Sequence, residues 1–588
     1  MRSVLKGFLK APELYLCILI VAIAAVFCVD RIGVTDVNLA VGEGAYEQSS
    51  LPIVKKFQVP IRVSFKVSNR FKHDFDLRII PDDCATELLV DGKYVELAGR
   101  SGLCDFGHGF VLANGELVDL GVKDGSQFEV SVRNHGGDGG LNVVVEKSAS
   151  SVFTILNGVL LGAVTVLVFL VARRMRAGLI LSLILALGAA LRIGLDLSLP
   201  KYDKFGHDVD GHVAYVHYIA ENHSIPGVDD CWTCYHPPVY YGASIPAWEL
   251  ASATGIPGTS ALQVQSLLLS FAFLFIGFAF LRQFLSGKAL TASTALLSLW
   301  PVIVLVAPRI GNDQLFYVLH ALCLWGGANY LNSGRGKFLV VAAIATALSY
   351  WTKTTGAVTM GVFFLFAVAG YFGNCRSLSA TKSEVASWII FALLVVGIAC
   401  SKLFGDSSLV GNASGLHSGL RIGSEPGNYI YFDLKSFLTQ PYTSPWLDEM
   451  GRQYFWNYAL KTSLFGEFRL LETALGKFLA SGISVAFLGL IAVAARGFWK
   501  TRLKAIHWIL LLQGVAFFAA LAFLRNKIPY SCSNDFRYIL PVLLSFIPFV
   551  GIGMNVEGSS AKWKAFSYVV IFVFATFSAA FMLAVSLQ

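Results

Sequence analysis

The chain has 588 residues, 55% of them hydrophobic and 14% charged, with a formal net charge of +8 and a mean hydropathy of +0.62. A globular domain carries about 25% charged residues, so a water-soluble enzyme is excluded, and apolar blocks of about 20 residues, long enough to cross a ~30 Å hydrocarbon core, mark a polytopic helical membrane protein. The basic excess reads as loops held on the cytoplasmic side of a membrane, and no nucleic-acid partner follows from it.

Thirteen spans are predicted, at 14–29, 152–172, 178–197, 261–281, 289–307, 313–331, 338–352, 355–372, 386–404, 474–494, 505–524, 538–554 and 566–586. Arg2, Lys6 and Lys10 precede the first span, which places the N-terminus in the cytoplasm. The same side then collects Arg173, Arg174, Arg176, Arg282, Lys288, Arg335, Lys337, Arg376, Lys382, Arg496, Lys500, Arg502, Lys504, Lys562 and Lys564. The first span lacks a clear small-residue cleavage site and reads as an anchor. Residues 237–253 are apolar, but a span there would break the charge parity, so an interfacial or re-entrant helix is expected. Three regions are then left outside: 30–150, 200–260 and 405–473.

Residues 30–150 alternate in runs such as Val63-Ser64-Phe65-Lys66-Val67 and Phe128-Glu129-Val130-Ser131-Val132, the period of two that marks half-buried strands. Turns are expected at Asp91-Gly92, Asp124-Gly125 and the glycine run 136–140. A small β-sandwich follows. Its Cys84 and Cys104 invite a disulfide in an oxidising compartment, while Cys17, Cys28, Cys323, Cys375 and Cys400 read as packing residues in or beside spans. Cys231-Trp-Thr-Cys234 admits a local disulfide, a bridge to Cys532, or a metal pair, although no second Cys or His pair accompanies it. The stretch Pro81-Asp82-Asp83-Cys84 through Leu89-Val90-Asp91-Gly92-Lys93 resembles sugar-associated jelly-roll modules of the PA14 or galactose-binding type, which implies glycan contact; a spacer or docking domain is the other reading.

The outer loop after the third span places Asp208, Asp210, His212, Tyr215 and His217 within ten residues. On a surface helix over 210–221, His212, Tyr215 and Ile219 share a face. The two carboxylates either cap that helix, or one of them accepts a proton from a nucleophile or holds a divalent cation, Mg or Mn, against a phosphate. The 405–473 loop mixes Glu425, Asp433, Asp448, Glu449 and Glu467 with Tyr429, Tyr431, Trp446, Tyr454 and Trp456, suiting either a lid over a sugar or interfacial anchoring.

Asp208-x-x-x-His212-x-x-Tyr215, followed by His236-Pro-Pro-Val-Tyr240-Tyr241, resembles the first external loop of GT-C superfamily glycosyltransferases, the relatives of protein O-mannosyltransferases and lipid A aminoarabinose transferases. Arg192, Gly311-Asn312-Asp313, Lys353 in Thr-Lys-Thr-Thr-Gly, Lys461-Thr-Ser-Leu-Phe-Gly-Glu467 and Asp535-Phe-Arg537-Tyr538 extend the resemblance over 176–588. It implies a bacterial inner-membrane enzyme that moves a sugar from a polyprenyl-phosphate donor to a periplasmic glycan, lipid or protein acceptor, with inversion. With the readings above, the organisation expected is an anchor (1–29), β-sandwich (30–150) and second helix with basic linker (151–175), followed by the GT-C membrane module (176–588) that the resemblance implies. Asp208 matches the family's acidic residue, with Asp210 in place of the commoner adjacent acid, so the base is left open between them; these two are also the candidate metal ligands.

A departing polyprenyl phosphate gains negative charge, so fixed cations would favour the transition state. Arg537, Lys353 and Arg309 are the candidates, each with a snorkelling alternative. Asn312 and Asp313 either cap their helix or bind substrate; His236 either begins the interfacial helix or binds substrate; Tyr240 and Tyr241 form an aromatic belt or a wall for the isoprenoid; Glu467 joins the substrate-binding set. An oligosaccharyltransferase or ligase using a pyrophosphate-linked glycan is the enzymatic alternative, and a flippase of lipid-linked sugars the other. Inverted repeats and mid-membrane charges would mark a transporter, whereas no repeat is evident and the notable charges fall at span ends.

Overall fold

The computed structural model describes residues 17–21 and most of 32–587; residues 1–16, 22–31, 50, 52, 57–58, 70–73, 82, 105–108, 134–137, 148–150, 199–207, 229, 232, 255, 375–381, 405–424, 444–453, 468, 530 and 588 lie outside the description. The chain divides into two compact units. The first comprises Met1–Val164, Leu199–Cys234 and Ser244–Gln263, and the second Thr165–Ser198, Tyr235–Ala243 and Val264–Gln588.

In the first unit the alternating runs form ten strands: β1 (Ile32–Val41), β2 (Glu47–Gln48), β3 (Ile53–Lys56), β4 (Ile61–Asn69), β5 (Phe75–Pro81), β6 (Cys84–Val90), β7 (Lys93–Tyr94), β8 (Phe110–Leu112), β9 (Ser126–Arg133) and β10 (Asp138–Lys147). They make a six-stranded sheet, β2-β1-β4-β9-β6-β7, and a four-stranded sheet, β3-β10-β5-β8. Val63, Phe65, Val130 and Leu88 of the first sheet share one buried core with Leu77, Ile79, Leu112 and Leu141 of the second, the sandwich expected of strands that each bury one face. Phe65 and Phe128 are directly paired across β4 and β9, with rings stacked 5.3 Å apart, a cross-strand contact that fixes register.

Turn chemistry explains the connections. Asp91 (φ 48°) and Gly92 (φ 76°) both lie in the left-handed region and join β6 to β7 in two residues, as a hairpin with both central φ positive requires. The Asp91 carboxylate accepts from Ser126 Oγ and Gln127 N at 2.8 Å each. The glycine run behaves differently from the expected turn: Gly139 and Gly140 pair with Lys55 and Val54 as the start of β10, because strand β3 supplies backbone partners there, and 134–137 lie outside the description. Cys84 and Cys104 are joined by a disulfide across a separation of 20 residues. Replacing both with serine is expected to cost the insert about 3 kcal/mol, the loop-closure entropy of a ring of that size; limited proteolysis of the full-length protein should then cut within 32–147 faster than in the parent, and equal rates would refute the estimate.

Seven helices among the described residues are long and apolar enough to cross a membrane: Ile155–Arg174, Leu179–Ser198, Gly258–Leu281, Ala474–Lys500, Ala505–Lys527, Phe536–Met554 and Ala561–Ser586. Thirteen were expected; two further predicted spans, 313–331 and 386–404, are the helices Asp313–Ser333 and Lys382–Phe404, and other differences have local causes. The predicted span 289–307 is broken into Gly287–Leu299 and Pro301–Leu305, since Pro301 brings no N–H and holds Trp300 in an extended conformation (φ −63°, ψ 123°). Gly336–Thr352 is apolar but has only 17 residues. Gly356–Asn374 follows it across the tight turn that carries Lys353. The predicted first span lies outside the description apart from 17–21. The apolar stretch at 237–253 is a helix, Val239–Thr254, with Pro246 inside it, and it is not among the helices that meet the spanning criteria.

Packing in the second unit relies on small residues, as expected where lipid supplies no hydrophobic drive between helices. A Cβ on Gly553 would collide with the Val493 carbonyl, and one on Gly497 with that of Phe549, so Ala474–Lys500 and Leu543–Met554 meet backbone to backbone. Trp300, fully buried, packs on Phe574 at 4.7 Å and Phe487 at 5.8 Å and donates from Nε1 to Ser463 O at 2.7 Å. The helix break is thereby pinned to the Phe455–Phe465 helix.

Candidate active site

The sequence assigns the ends of several helices to one membrane face, and in the second unit those ends converge. Asp313 is the first residue of the Asp313–Ser333 helix. Lys353 stands at the C-terminal cap of Gly336–Thr352, and Gly356 N donates to Lys353 O at 2.8 Å to close the turn. A Cβ on Gly356 would lie 2.6 Å from the Ser349 carbonyl carbon, so this turn needs glycine to fold back so closely. Lys353 Nζ and Asp313 Oδ1 form an ion pair, and Lys353 also lies over the Tyr538 ring, 4.7 Å from its centre. Neither cap nor snorkel describes these residues: Asn312, at the N-cap, makes no side-chain capping bond but donates from Nδ2 to Thr352 O at 3.2 Å, and Lys353 is 6% exposed.

Beneath this pair a polar chain ties three helices together. His320 Nδ1 meets Thr359 Oγ1 at 2.9 Å, and Ser349 Oγ meets the same hydroxyl at 3.1 Å. These residues sit on Asp313–Ser333, Gly356–Asn374 and Gly336–Thr352, the elements that hold Asp313 and Lys353. Hydrogen-bonded polar groups between apolar helices specify relative position more than they add stability.

The second half of the cluster comes from two short 3-10 turns, Ser531–Asn534 and Phe536–Val542. Asp535 Oδ1 accepts from Arg537 N at 3.1 Å. Arg537 Nε lies 3.0 Å from Asp535 Oδ2, near enough for an ion pair yet out of line for a hydrogen bond. Arg537 also donates to Tyr538 Oη at 3.1 Å, and its carbonyl accepts from Tyr317 Oη at 2.6 Å. Phe536 N donates to Thr462 Oγ1 at 3.0 Å, which links the turn to the Phe455–Phe465 helix and through it to Glu467. There Tyr458 Oη donates to Glu467 Oε1. The guanidinium of Arg537 is held by Asp535 and Tyr538, and the residue is 7% exposed.

Burial sets the electrostatics. The Asp535 carboxyl is pushed up to about 7, first by burial and then by the charge of Glu467, against the pull of Arg537 and Arg309. Burial pulls Lys353 below the usual lysine value while Asp313 holds it up. Lys461, which donates to Ser436 Oγ at 2.8 Å, is drawn down to about 8 by burial. Arg309, half-buried, bears on Asp535 from the Val306–Arg309 turn. The cluster therefore holds three cations, Arg309, Lys353 and Arg537, against three carboxyl groups, Asp313, Glu467 and Asp535, one of which changes charge near neutral pH.

Tyr240 and Tyr241 do not form a belt at an interface. Both are fully buried, their rings meet edge to face at 5.3 Å, and Tyr240 Oη accepts from Gly311 N at 3.2 Å, bracing the residue before Asn312. His236 is half-buried beside Tyr235, with ring centres 4.2 Å apart.

The other candidates belong to the first unit. Asp208 is exposed, adopts φ 59°, and precedes the helix Val209–Asn222 as its N-cap without a side-chain capping bond; its carbonyl accepts from His212 N at 3.0 Å. The Asp210 side chain lies outside the description. His212 and Tyr215 face inward, 6% and 1% exposed, and burial pushes the Tyr215 phenol up to about 12. Gly211 lets the helix approach Thr233, whose methyl would stand 2.6 Å from an added Cβ, and Cys231 and Cys234 on that loop are joined by a disulfide, which takes both from metal ligation. Among the described residues no three His, Cys, Asp or Glu side chains gather as a metal site. In the second-unit cluster Asp313 and Asp535 are paired with cations and Glu467 with a phenol.

No family model matches the sequence, and no curated protein matches it. Among solved structures, the chain is similar to the oligosaccharyltransferase of Archaeoglobus fulgidus in the apo form, with 12% identity and a TM-score of 0.39 over 68% of this chain and 55% of that one. The same archaeal protein, AglB, in complex with an inhibitory peptide and a dolichol-phosphate gives 14% identity and a TM-score of 0.39. ArnT from Cupriavidus metallidurans bound to undecaprenyl phosphate gives 15% identity and a TM-score of 0.31 over 64% of this chain and 77% of that one. The chain spans about half the length of the archaeal enzyme.

Sequence reasoning selected Asp313, Lys353, Arg309, Arg537 and Glu467 singly; the structure joins Lys353 to Asp313 and gathers Arg537, Glu467 and Arg309 around Asp535. It named Asp535 and Tyr538 only within the motif and gave them no role, and it missed Asn534 and Tyr458 altogether. The available signal was Asp-x-Arg-Tyr at a 3-10 turn, where a carboxylate two residues before an arginine bonds its backbone N–H and holds the guanidinium beside it.

Proposed function

We propose that this protein is a membrane glycosyltransferase that moves a sugar from a polyprenyl-phosphate-linked donor to a glycan, lipid or protein acceptor, with inversion, at the periplasmic face of a bacterial inner membrane. The observation that carries the reading is the buried cluster in which Lys353 and Arg537 are held by Asp313, Asp535 and Tyr538, with Arg309 in electrostatic reach of Asp535, at helix ends assigned by sequence to one membrane face. Fixed cations in a low-dielectric setting stabilise charge as it develops on a departing phosphate, without reorganisation at the moment of reaction. Arg537 and Arg309 take the phosphate oxygens. Lys353, already paired with Asp313, adds charge and orients the Tyr538 ring. Asp208, on the motif resemblance, takes the proton from the acceptor, and its exposure leaves it open to one. No step is assigned to a metal ion.

Mass spectrometry of lipid-linked intermediates and surface glycans tests this in cells carrying the parent, a deletion, and Asp208→Asn. Accumulation of a polyprenyl-monophosphate sugar in both mutants, with loss of one surface modification, is the expected outcome. Cells with Asp208→Asn that match the parent while the deletion differs would remove Asp208 from catalysis.

A further inference from the structure

Asn534 is fully buried, yet neither its Oδ1 nor its Nδ2 has a hydrogen-bond partner among the described residues, and the Oδ2 of Asp535 beside it has none in line. An unpaired buried polar group keeps its desolvation cost, so the two amide atoms of Asn534, beside a carboxylate oxygen that Arg537 meets only as an ion pair, call for an occupant. The atoms define its chemistry. Nδ2 asks for an acceptor and Oδ1 for a donor; a phosphate offers only acceptors and meets two carboxyl groups here, and an ammonium offers only donors. A hydroxyl is both. Arg537 is three residues further on, its guanidinium against Asp535, so a phosphate on the cations would bring whatever it carries to this turn.

We infer that Asn534 and Asp535, with Glu467 in electrostatic reach, form a subsite for the ring hydroxyls of the donor sugar; this rests on the donor-phosphate reading above and assigns the sugar's place within it. Asn534 bridges one hydroxyl as donor and acceptor, and Asp535 engages a neighbouring one. Selection among sugars then lies in the orientation of these hydroxyls, because a buried amide left unpaired by an epimer keeps its desolvation cost.

The test uses full-length protein in lipid nanodiscs, as parent, Asn534→Leu, Asn534→Ser and Arg537→Ala, with native mass spectrometry of competing ligands: bare undecaprenyl phosphate, undecaprenyl-phosphate-linked glucose, mannose, galactose and N-acetylglucosamine, and free oligosaccharides of the same sugars. The parent should favour at least one sugar-bearing lipid over the bare lipid by about tenfold or more, as expected of two added hydrogen bonds. Asn534→Leu should erase that preference while still capturing bare lipid, Asn534→Ser should keep part of it, and the melting temperature of Asn534→Leu should equal or exceed the parent's because an orphaned amide has been removed. A preference that survives Asn534→Leu, or a parent with no preference, overturns the subsite. Loss of free-oligosaccharide binding alone moves it to the acceptor and overturns the donor assignment. Failure of the parent to capture bare lipid at all, with Arg537→Ala the same, overturns the phosphate reading beneath it.

Discussion

Lys353→Met is expected to destabilise the full-length protein by about 3 kcal/mol and to remove donor capture, whereas the double variant Lys353→Met/Asp313→Leu regains stability without regaining capture. The Asp313 carboxylate is 20% exposed and the lysine side chain 7%. Removing the cation leaves a largely buried anion uncompensated, which costs about 3–5 kcal/mol, while replacing both partners with apolar side chains is near neutral; the partial exposure of Asp313 sets the single variant at the low end. Thermal unfolding reads the first effect and binding of undecaprenyl phosphate reads the second. Two roles are separated by the comparison. If Lys353 served only to dock Gly336–Thr352 against Asp313–Ser333, the double variant would bind donor as the parent does, and the phosphate role would fall to Arg537 and Arg309 alone.

The helical spans and the strands of the insert were legible because both are written in periodicity: apolar runs of membrane length, and alternation such as Val63-Phe65-Val67. What periodicity does not carry is a break inside a run. Pro301 stands amid apolar residues that read as one span, and only the extended conformation it forces on Trp300 shows the helix to be two. The glycine run near β10 shows the converse error, for glycine marks a turn in isolation but takes the place of a strand where a neighbour such as β3 offers its backbone. For the site, charged residues at span ends drew notice because ions at membrane depth are costly, so Lys353, Asp313 and Arg537 were found; the pairing was not, since Asp313 and Lys353 are 40 residues apart and nothing local couples them. Asn534 carries no sequence signal. Its interest lies entirely in being buried without a partner.

Asp535→Asn should abolish a change in donor affinity that the parent shows near pH 7. The Asp535 carboxyl is held at about 7 by burial and by Glu467. Below that pH it is neutral, leaving Arg309, Lys353 and Arg537 opposed by Asp313 and Glu467, an excess of one positive charge for an arriving phosphate. Above it the charges balance, and the phosphate meets no net attraction. Donor affinity in the parent is therefore expected to fall on the order of tenfold as pH rises from 6 to 8, the scale of one charge at close range in a partly polarisable interior. The asparagine variant fixes the neutral form and stays tight throughout. Titration of the phosphate itself is common to both proteins, so the difference between their profiles isolates Asp535. Stability follows the same sign: the folded value lies above the ordinary aspartate value of 3.8, the folded protein binds the extra proton between about pH 4 and 7, and stability declines as pH rises through that window. Binding of undecaprenyl phosphate and thermal unfolding, each measured from pH 5 to 8.5 on parent and variant, would show both differences; parallel profiles would place the titrating group elsewhere and leave Asp535 as a permanently charged partner of Arg537.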